Sequence, residues 1–260
     1  MFNFREKMFR IWYWYVNKID RNAEILFMNF GYSSKDRDIQ MSDHDSPDRY
    51  SVQLYRHLAD EADLRDKDIV EIGCGRGGGL SYIARNFSPL SAKGIDLDRQ
   101  AVSFCNSHYT EKGISFMQGD AQNLKLENNC CDIVLNVESS HRYPDMGKFL
   151  GEVSRILRKD GYFLFTDFRY DYEMEEMKKD LQQSGMEIVK ERFINKEVVA
   201  ALELDDERKR TLVKKLAPKF LHKTALNFGG TIGSKTYNQF ASGEYLYFSY
   251  VMRKNQESSH

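Results

Sequence analysis

Apolar residues along this chain follow two rhythms. From about residue 67 onward, short unbroken apolar runs alternate with longer stretches whose apolar positions recur every three to four residues. DIVEIG, AKGIDL, ISFMQGD, CDIVLNV and YFLFTDF are runs of the first kind, and MEIVKERFI and EYLYFSYVMRK bring the set to seven. Runs of this length bounded by Gly and Asp read as strands. GLSYIARNF, DRQAVSFCNSHYTEKG, DMGKFLGEVSRILRKDG and YEMEEMKKDLQQSG carry the helical period. The middle two of these helices are expected to close on Gly113 and Gly161.

Ahead of this region, residues 1 to about 66 read as helical. Met8, Ile11, Trp12, Tyr15 and Ile19 share one helical face, and SPDRYSVQLYRHLADEADL reads as a capped helix with Ser46 or Asp48 near its start. Between the last two strands, residues 195–240 form an insert with a charged helical stretch and a Gly-rich stretch. The expected divisions are therefore an N-terminal helical cap (1–66), an α/β core (67–194), an insert or lid (195–240) and a final strand with tail (241–260), in one structural domain. Strands alternating with helices make βαβ units. The expected fold is α/β, a doubly wound, seven-stranded, mostly parallel sheet whose ligands bind at the carboxyl ends of its strands.

Composition narrows the function. The 260 residues carry a formal net charge of -1, without the broad basic field of a nucleic-acid binder. The spacing of Cys74, Cys105, Cys130 and Cys131 fits neither a zinc site nor a secreted disulfide framework, so free thiols, a cytoplasmic location and no metal are expected. Arg5, Glu6, Lys7 and Arg10 interrupt the aromatic N-terminus, which is neither a signal peptide nor a membrane span. Packing on the protein's own core is the plain reading of that helix. Covering an apolar substrate, or a peripheral membrane contact, is the sharper one. Nothing in the sequence sets the oligomeric state.

The chemistry-bearing motif is VEIGCGRGGG, residues 70–79, between a strand and a helix. Its glycines permit a sharp turn and close approach of a ligand to the main chain. Gly73, Gly75 and Gly78 alone also satisfy a dinucleotide fingerprint, a weak signal. Glu71 argues for a different cofactor. A carboxylate there would repel a pyrophosphate, whereas it suits the ammonium and sulfonium of S-adenosylmethionine. Asp96 closes the second strand, where a carboxylate accepts hydrogen bonds from both ribose hydroxyls, and Asp120 follows the third, within reach of an adenine amino group. Taken singly, these acids are a strand end, a helix cap and a turn former. Three acids at three successive strand ends argue for one site.

EIGCGRGGG, GIDLD, GDAQNL and VLNVESSHRYP resemble the successive motifs of class I S-adenosylmethionine-dependent methyltransferases over residues 66 to 170. NVESSHRYP followed by EVSRILRKDGYFLFTDFR is similar to natural-product O-methyltransferases, the phthiotriolone-type lipid enzymes above all, and FMNFGY at residues 27–32 looks like that group's N-terminal cap. The resemblance implies a Rossmann-like methyltransferase fold, S-adenosyl-L-homocysteine as product, and a cofactor site lined by Glu71, Gly73, Gly75, Asp96, Leu97, Asp120, Ala121 and Asn136.

A hydroxyl acceptor needs a base. His141 follows the fourth strand and Asp167 ends the fifth, so the two are expected to meet at the rim with Asp167 orienting the imidazole. The alternative for His141 is a structural bond within its loop. Glu138 either assists or ends its strand. The acceptor is expected to be a small apolar molecule, lipid-like or polyketide-like. The aromatic N-terminus and Phe220, Leu221, Phe228 and Phe240 of the insert would supply walls, and Tyr32 and Tyr237 hydroxyls. A filled core is the plain reading of those aromatics. C- or N-methylation of a small molecule, a non-catalytic cofactor-binding module and a dehydrogenase remain the other classes.

Overall fold

The computed structural model describes residue 20, residues 23–34 and residues 41–255. Seven strands form one sheet: β1 (Asp68–Ile72), β2 (Ser91–Asp96), β3 (Ile114–Gln118), β4 (Cys131–Val137), β5 (Leu157–Tyr170), β6 (Met186–Phe193) and β7 (Tyr245–Lys254). Their order is β3-β2-β1-β4-β5-β7-β6. The first five run parallel, and β7 is antiparallel to both β5 and β6. The order reverses between β1 and β4. The carboxyl ends there diverge and open a crevice, the usual ligand position in such sheets. The expected doubly wound, seven-stranded architecture is borne out.

Among the described residues the helices are α1 (Arg49–Ala59), α2 (Gly78–Phe87), α3 (Arg99–His108), α4 (Met146–Ile156), α5 (Met174–Gln183), α6 (Asn195–Leu204), α7 (Asp206–Leu216), α8 (His222–Phe228) and α9 (Lys235–Ser242). Two apolar clusters sandwich the sheet. One gathers Leu54, Leu58, Leu80, Ile83, Leu135 and Leu164, and the other Val134, Phe149, Leu150, Val153, Phe163 and Phe165. Strands buried on both faces explain the unbroken apolar runs of the sequence.

Two helix ends differ from the sequence reading. Helix α3 stops at His108, five residues before Gly113, and α4 stops at Ile156, five before Gly161. In the second case the strand ladder takes over: Cys130 N donates to Ile156 O and Cys131 pairs with Leu157, which ends the helix before its glycine signal. The N-terminal region differs more. Residues 23–34 form neither helix nor strand, and helix within 41–66 is confined to the turn Ser46–Asp48 and α1. The amphipathic helix expected around Trp12 lies outside the described residues. The insert between β6 and β7 carries four helices, α6 to α9.

Residues 23–34 form a strap. At one end the Asp20 carboxylate accepts from Glu24 N and Ile25 N and pairs with Arg76 of the Gly-rich loop at 3.2 Å. Arg76 is 1% exposed, with its guanidinium 3.8 Å from the Phe104 ring centroid. At the other end Phe30 N donates to Glu138 Oε1 at 2.7 Å. Between them Leu26 and Phe27 lie on the start of α2, where a Cβ on Gly78 would come within 2.7 Å of Leu26 O.

Candidate active site

The loop after β1 turns on Gly73, Gly75 and Gly77, all with positive φ. A Cβ at Gly73 would fall 2.3 Å from Ser139 Oγ, so only glycine fits. Gly73 N and Cys74 N both donate to Ile95 O, which fastens the loop to β2. Glu71 is fully buried on β1. Its Oε1 accepts from Tyr55 OH at 2.7 Å, while Oε2 is buried without a partner. Burial, with Asp96 nearby, raises the Glu71 carboxyl to about 7.

Asp96 ends β2. One carboxylate oxygen accepts from Gly75 N and the other from Asp98 N, each at 2.9 Å, which fixes the plane of the group; burial raises its pKa. Leu97 beside it is 65% exposed, an apolar side chain left uncovered at the rim. Asp120 is exposed after β3, with Oδ1 accepting from Gln122 N, and Ala121 is buried. Asn136, on β4, donates to Ile72 O at 2.8 Å and to Ser139 Oγ at 2.8 Å, while its Oδ1 is buried and unpartnered.

A buried carboxylate oxygen and a buried amide oxygen without partners each cost about 1–3 kcal/mol or more. Such costs persist where a ligand satisfies the groups. Two orphan acceptors, a glycine cradle and an oriented carboxylate beside an exposed leucine fit a ligand with a cationic, donor-bearing end and a diol-bearing, flat end. That is the chemistry of S-adenosylmethionine.

The second half of the site lies at the ends of β4 and β5. His141 occupies a short turn (Ser140–Arg142), and its Nδ1 lies 2.7 Å from Asp167 Oδ1. Asp167 is fully buried and also accepts from His141 N, Ser140 Oγ and Phe168 N, with Arg169 at 3.3 Å. This ring of donors and cations holds its pKa below the usual carboxylate range, despite burial. An ionised Asp167 makes Nδ1 the protonated nitrogen, leaving a lone pair on Nε2. Burial, with Arg142 and Arg169 nearby, lowers the His141 pKa to about 4, against the opposing pull of Asp167. The imidazole is neutral at pH 7.

Sequence reasoning undervalued two residues. Glu138 adopts φ of +47°, a conformation rare for non-glycine residues, and is 9% exposed. It accepts from Phe30 N and Tyr247 OH, and burial pushes its carboxyl up to about 8. Lys209 of α7, lowered to about 8 by its own burial, donates to Phe30 O at 3.4 Å. The strap, the β4 rim, β7 and the insert thus meet around Glu138. The signal in the sequence was a charged residue within an apolar strand end.

The aromatic residues divide. Phe30, Phe168 and Phe240 pack edge to face, and Phe168 also lies 4.4 Å from the His141 ring, so an aromatic wall adjoins the imidazole. Phe240 is 1% exposed and fills core; Phe220 is 82% exposed and faces solvent, not a cleft. Tyr32 stacks on His57 at 4.5 Å, and Tyr237 OH donates to Glu203 at an exposed position. Cys74, Cys105 and Cys131 are buried free thiols.

Comparison with known proteins places this geometry. Residues 70–165 match the family model described as a methyltransferase domain. A fatty-acid O-methyltransferase of Mycolicibacterium smegmatis is 39% identical over 84% of this chain and 80% of that protein. A phthiotriol/phenolphthiotriol dimycocerosates methyltransferase of Mycobacterium tuberculosis is 34% identical over 96% of this chain and 93% of that protein. A geranyl diphosphate C-methyltransferase from Streptomyces coelicolor, solved with S-adenosyl-L-homocysteine, superposes with a TM-score of 0.67 at 13% identity, covering 97% of this chain and 98% of that one, a likeness of fold. With a sheet of this order, a glycine cradle between orphan acceptors and relatives of this similarity over most of their length, the chain belongs to the S-adenosylmethionine-dependent methyltransferases.

Proposed function

We propose that this enzyme transfers the methyl group to a hydroxyl of a small apolar acceptor, lipid-like or polyketide-like, with His141 as proton acceptor. The 2.7 Å contact between His141 Nδ1 and Asp167 Oδ1 carries the reading. The lipid substrates in the relatives' names support an apolar acceptor.

The cofactor supplies a methyl on cationic sulfur, which leaves as the neutral thioether when the oxygen–carbon bond forms. Every other task falls to the chain. Glu71, Gly73, Gly75 and Asn136 hold the methionine end, Asp96 the ribose, and Leu97, Asp120 and Ala121 the adenine. His141 Nε2 takes the acceptor proton, and Asp167 stabilises the imidazolium that results. The strap and the insert cover the cleft. The Phe30–Phe168 wall excludes water beside His141, and Glu138 and Tyr32 are the polar residues proposed to face the acceptor.

A carboxylate acceptor is the second reading, favoured by the Arg142 guanidinium at His141 Nε2. A carboxylate needs no base, only a cation to hold it. His141→Ala separates the two. With a hydroxyl acceptor, turnover should fall by about 10²–10⁴-fold while S-adenosylmethionine affinity stays within twofold. Unchanged turnover on the true acceptor would remove His141 from proton transfer.

A further inference from the structure

The charge of this chain is unevenly spread. Residues 208–243 contain eight Lys and Arg and no Asp or Glu, although the whole chain has a formal net charge of -1. The acids of α7, Asp206 and Glu207, lie in its first turn, and Asp206 is bonded to Arg210. Within α7 the cations divide by direction. Lys209 points inward to the strap, Arg208 pairs with Asp205 and Asp48, and Lys215 reaches Glu24. Lys214, Lys219 and Lys223 are exposed, with no carboxylate partner among the described residues.

Phe220 lies in the turn Lys219–Leu221 between α7 and α8, next to Lys219, with Lys214 in the last turn of α7 and Lys223 in the first turn of α8. At 82% exposed it is the most exposed large apolar side chain among the described residues. A phenyl ring left in water forgoes the gain of burying an apolar side chain. An exposed aromatic ring in a segment whose lysines have no carboxylate partner among the described residues matches the interfacial zone of an anionic bilayer, where the ring enters the acyl boundary and the ammonium groups meet phosphate.

We infer that the turn Lys219–Leu221, with Lys214 and Lys223 beside it, docks the enzyme on an anionic lipid surface. The surface lies on the same insert whose Lys209 and Phe240 touch the strap, so docking brings the covered cleft to the membrane. Duplex nucleic acid and acidic proteins share the charge but offer no apolar layer for Phe220. The inference stands independently of the acceptor atom and of His141.

Full-length protein is mixed with vesicles of phosphatidylcholine alone and of phosphatidylcholine with phosphatidylglycerol, and the bound fraction is measured by flotation. Binding should require phosphatidylglycerol and decline with salt. Each neutralised lysine should lower partitioning about fivefold, so Lys214→Gln/Lys219→Gln/Lys223→Gln together should lower it roughly a hundredfold. Phe220→Ser alone should also release the protein, with its lysines intact. S-adenosylmethionine titration of both variants confirms that each remains folded. Equal binding to both vesicle types, no binding to either, wild-type partitioning by either variant, or capture by a DNA duplex at the same salt overturns the inference.

Discussion

Arg142 donates its Nε–H to His141 Nε2 at 3.1 Å, occupying the ring nitrogen that Asp167 leaves over. A lone pair already engaged cannot take a proton, so an acceptor hydroxyl must displace the guanidinium. Arg142 is exposed.

Arg142→Ala should therefore raise the His141 pKa from about 4 toward the ordinary histidine value near ~6.5. The sign is set by the loss of a neighbouring cation. In the wild type the imidazole stays neutral down to about pH 5, so kcat/KM should be flat through neutrality. In the variant the acid-side fall of kcat/KM should begin at a higher pH than in the wild type, although burial and Arg169 still hold the ring below the ordinary value. Histidine resonances followed by NMR read the same shift without turnover. Identical titration of His141 in both proteins would show that Arg142 does not govern the ring.

Asp96→Ala should weaken S-adenosylmethionine binding roughly ten- to a hundredfold, the equivalent of one charged hydrogen bond of about 1.5–3 kcal/mol. Asp96→Asn should lose less, because an amide oxygen can keep one of the two backbone bonds from Gly75 and Asp98. Titration calorimetry measures both. Equal losses would mean that the carboxylate's charge, not its geometry, matters.

Glu71 links cofactor binding to pH. Its carboxyl is raised to about 7, and a cationic ligand favours the ionised form. Affinity for S-adenosylmethionine should therefore weaken as pH falls below about 7, by up to about tenfold per unit, and Glu71→Gln should flatten the dependence. The stability of the ligand-free protein should show the opposite trend. Between the unfolded value of 4.5 and about 7 the folded state retains a proton that the unfolded chain has lost, so this residue makes stability decline as pH rises through that window. A pH-independent affinity would place the cation away from Glu71.

Asp20→Asn should destabilise the protein by about 1.5–3 kcal/mol, because Arg76 would lose its buried, charged contact with the Asp20 carboxylate. Replacing both residues, Asp20→Asn with Arg76→Met, should recover part of the loss. Chemical denaturation of the three variants settles the coupling. Additive losses would show that the pair does not interact.

The strands and their acids were legible because strands buried on both faces leave continuous apolar runs, and a carboxylate ending such a run stands out. The meeting of His141 and Asp167 followed from β4 and β5 being neighbours. The strap was illegible for an opposite reason. Residues 23–34 have no apolar period, and their anchors are main-chain groups such as Phe30 N, whose partner Glu138 is 108 positions away. The bond from the Tyr237 hydroxyl to Glu203 of α6 was illegible too, because its partner is 34 positions away on another helix.

The glycine run at residues 77–79 answers to two neighbours at once. A Cβ at Gly79 would lie 1.8 Å from the Tyr55 ring, the residue that holds Glu71, and one at Gly78 would press on Leu26 of the strap. Alanine at either position would disturb the floor of the crevice or its covering without touching a bound molecule. A mutational scan of this loop would score such variants as ligand contacts, although their defect would be inherited from the packing behind it. Gly73 is bound in the same way, since a Cβ there would meet Ser139 Oγ at 2.3 Å.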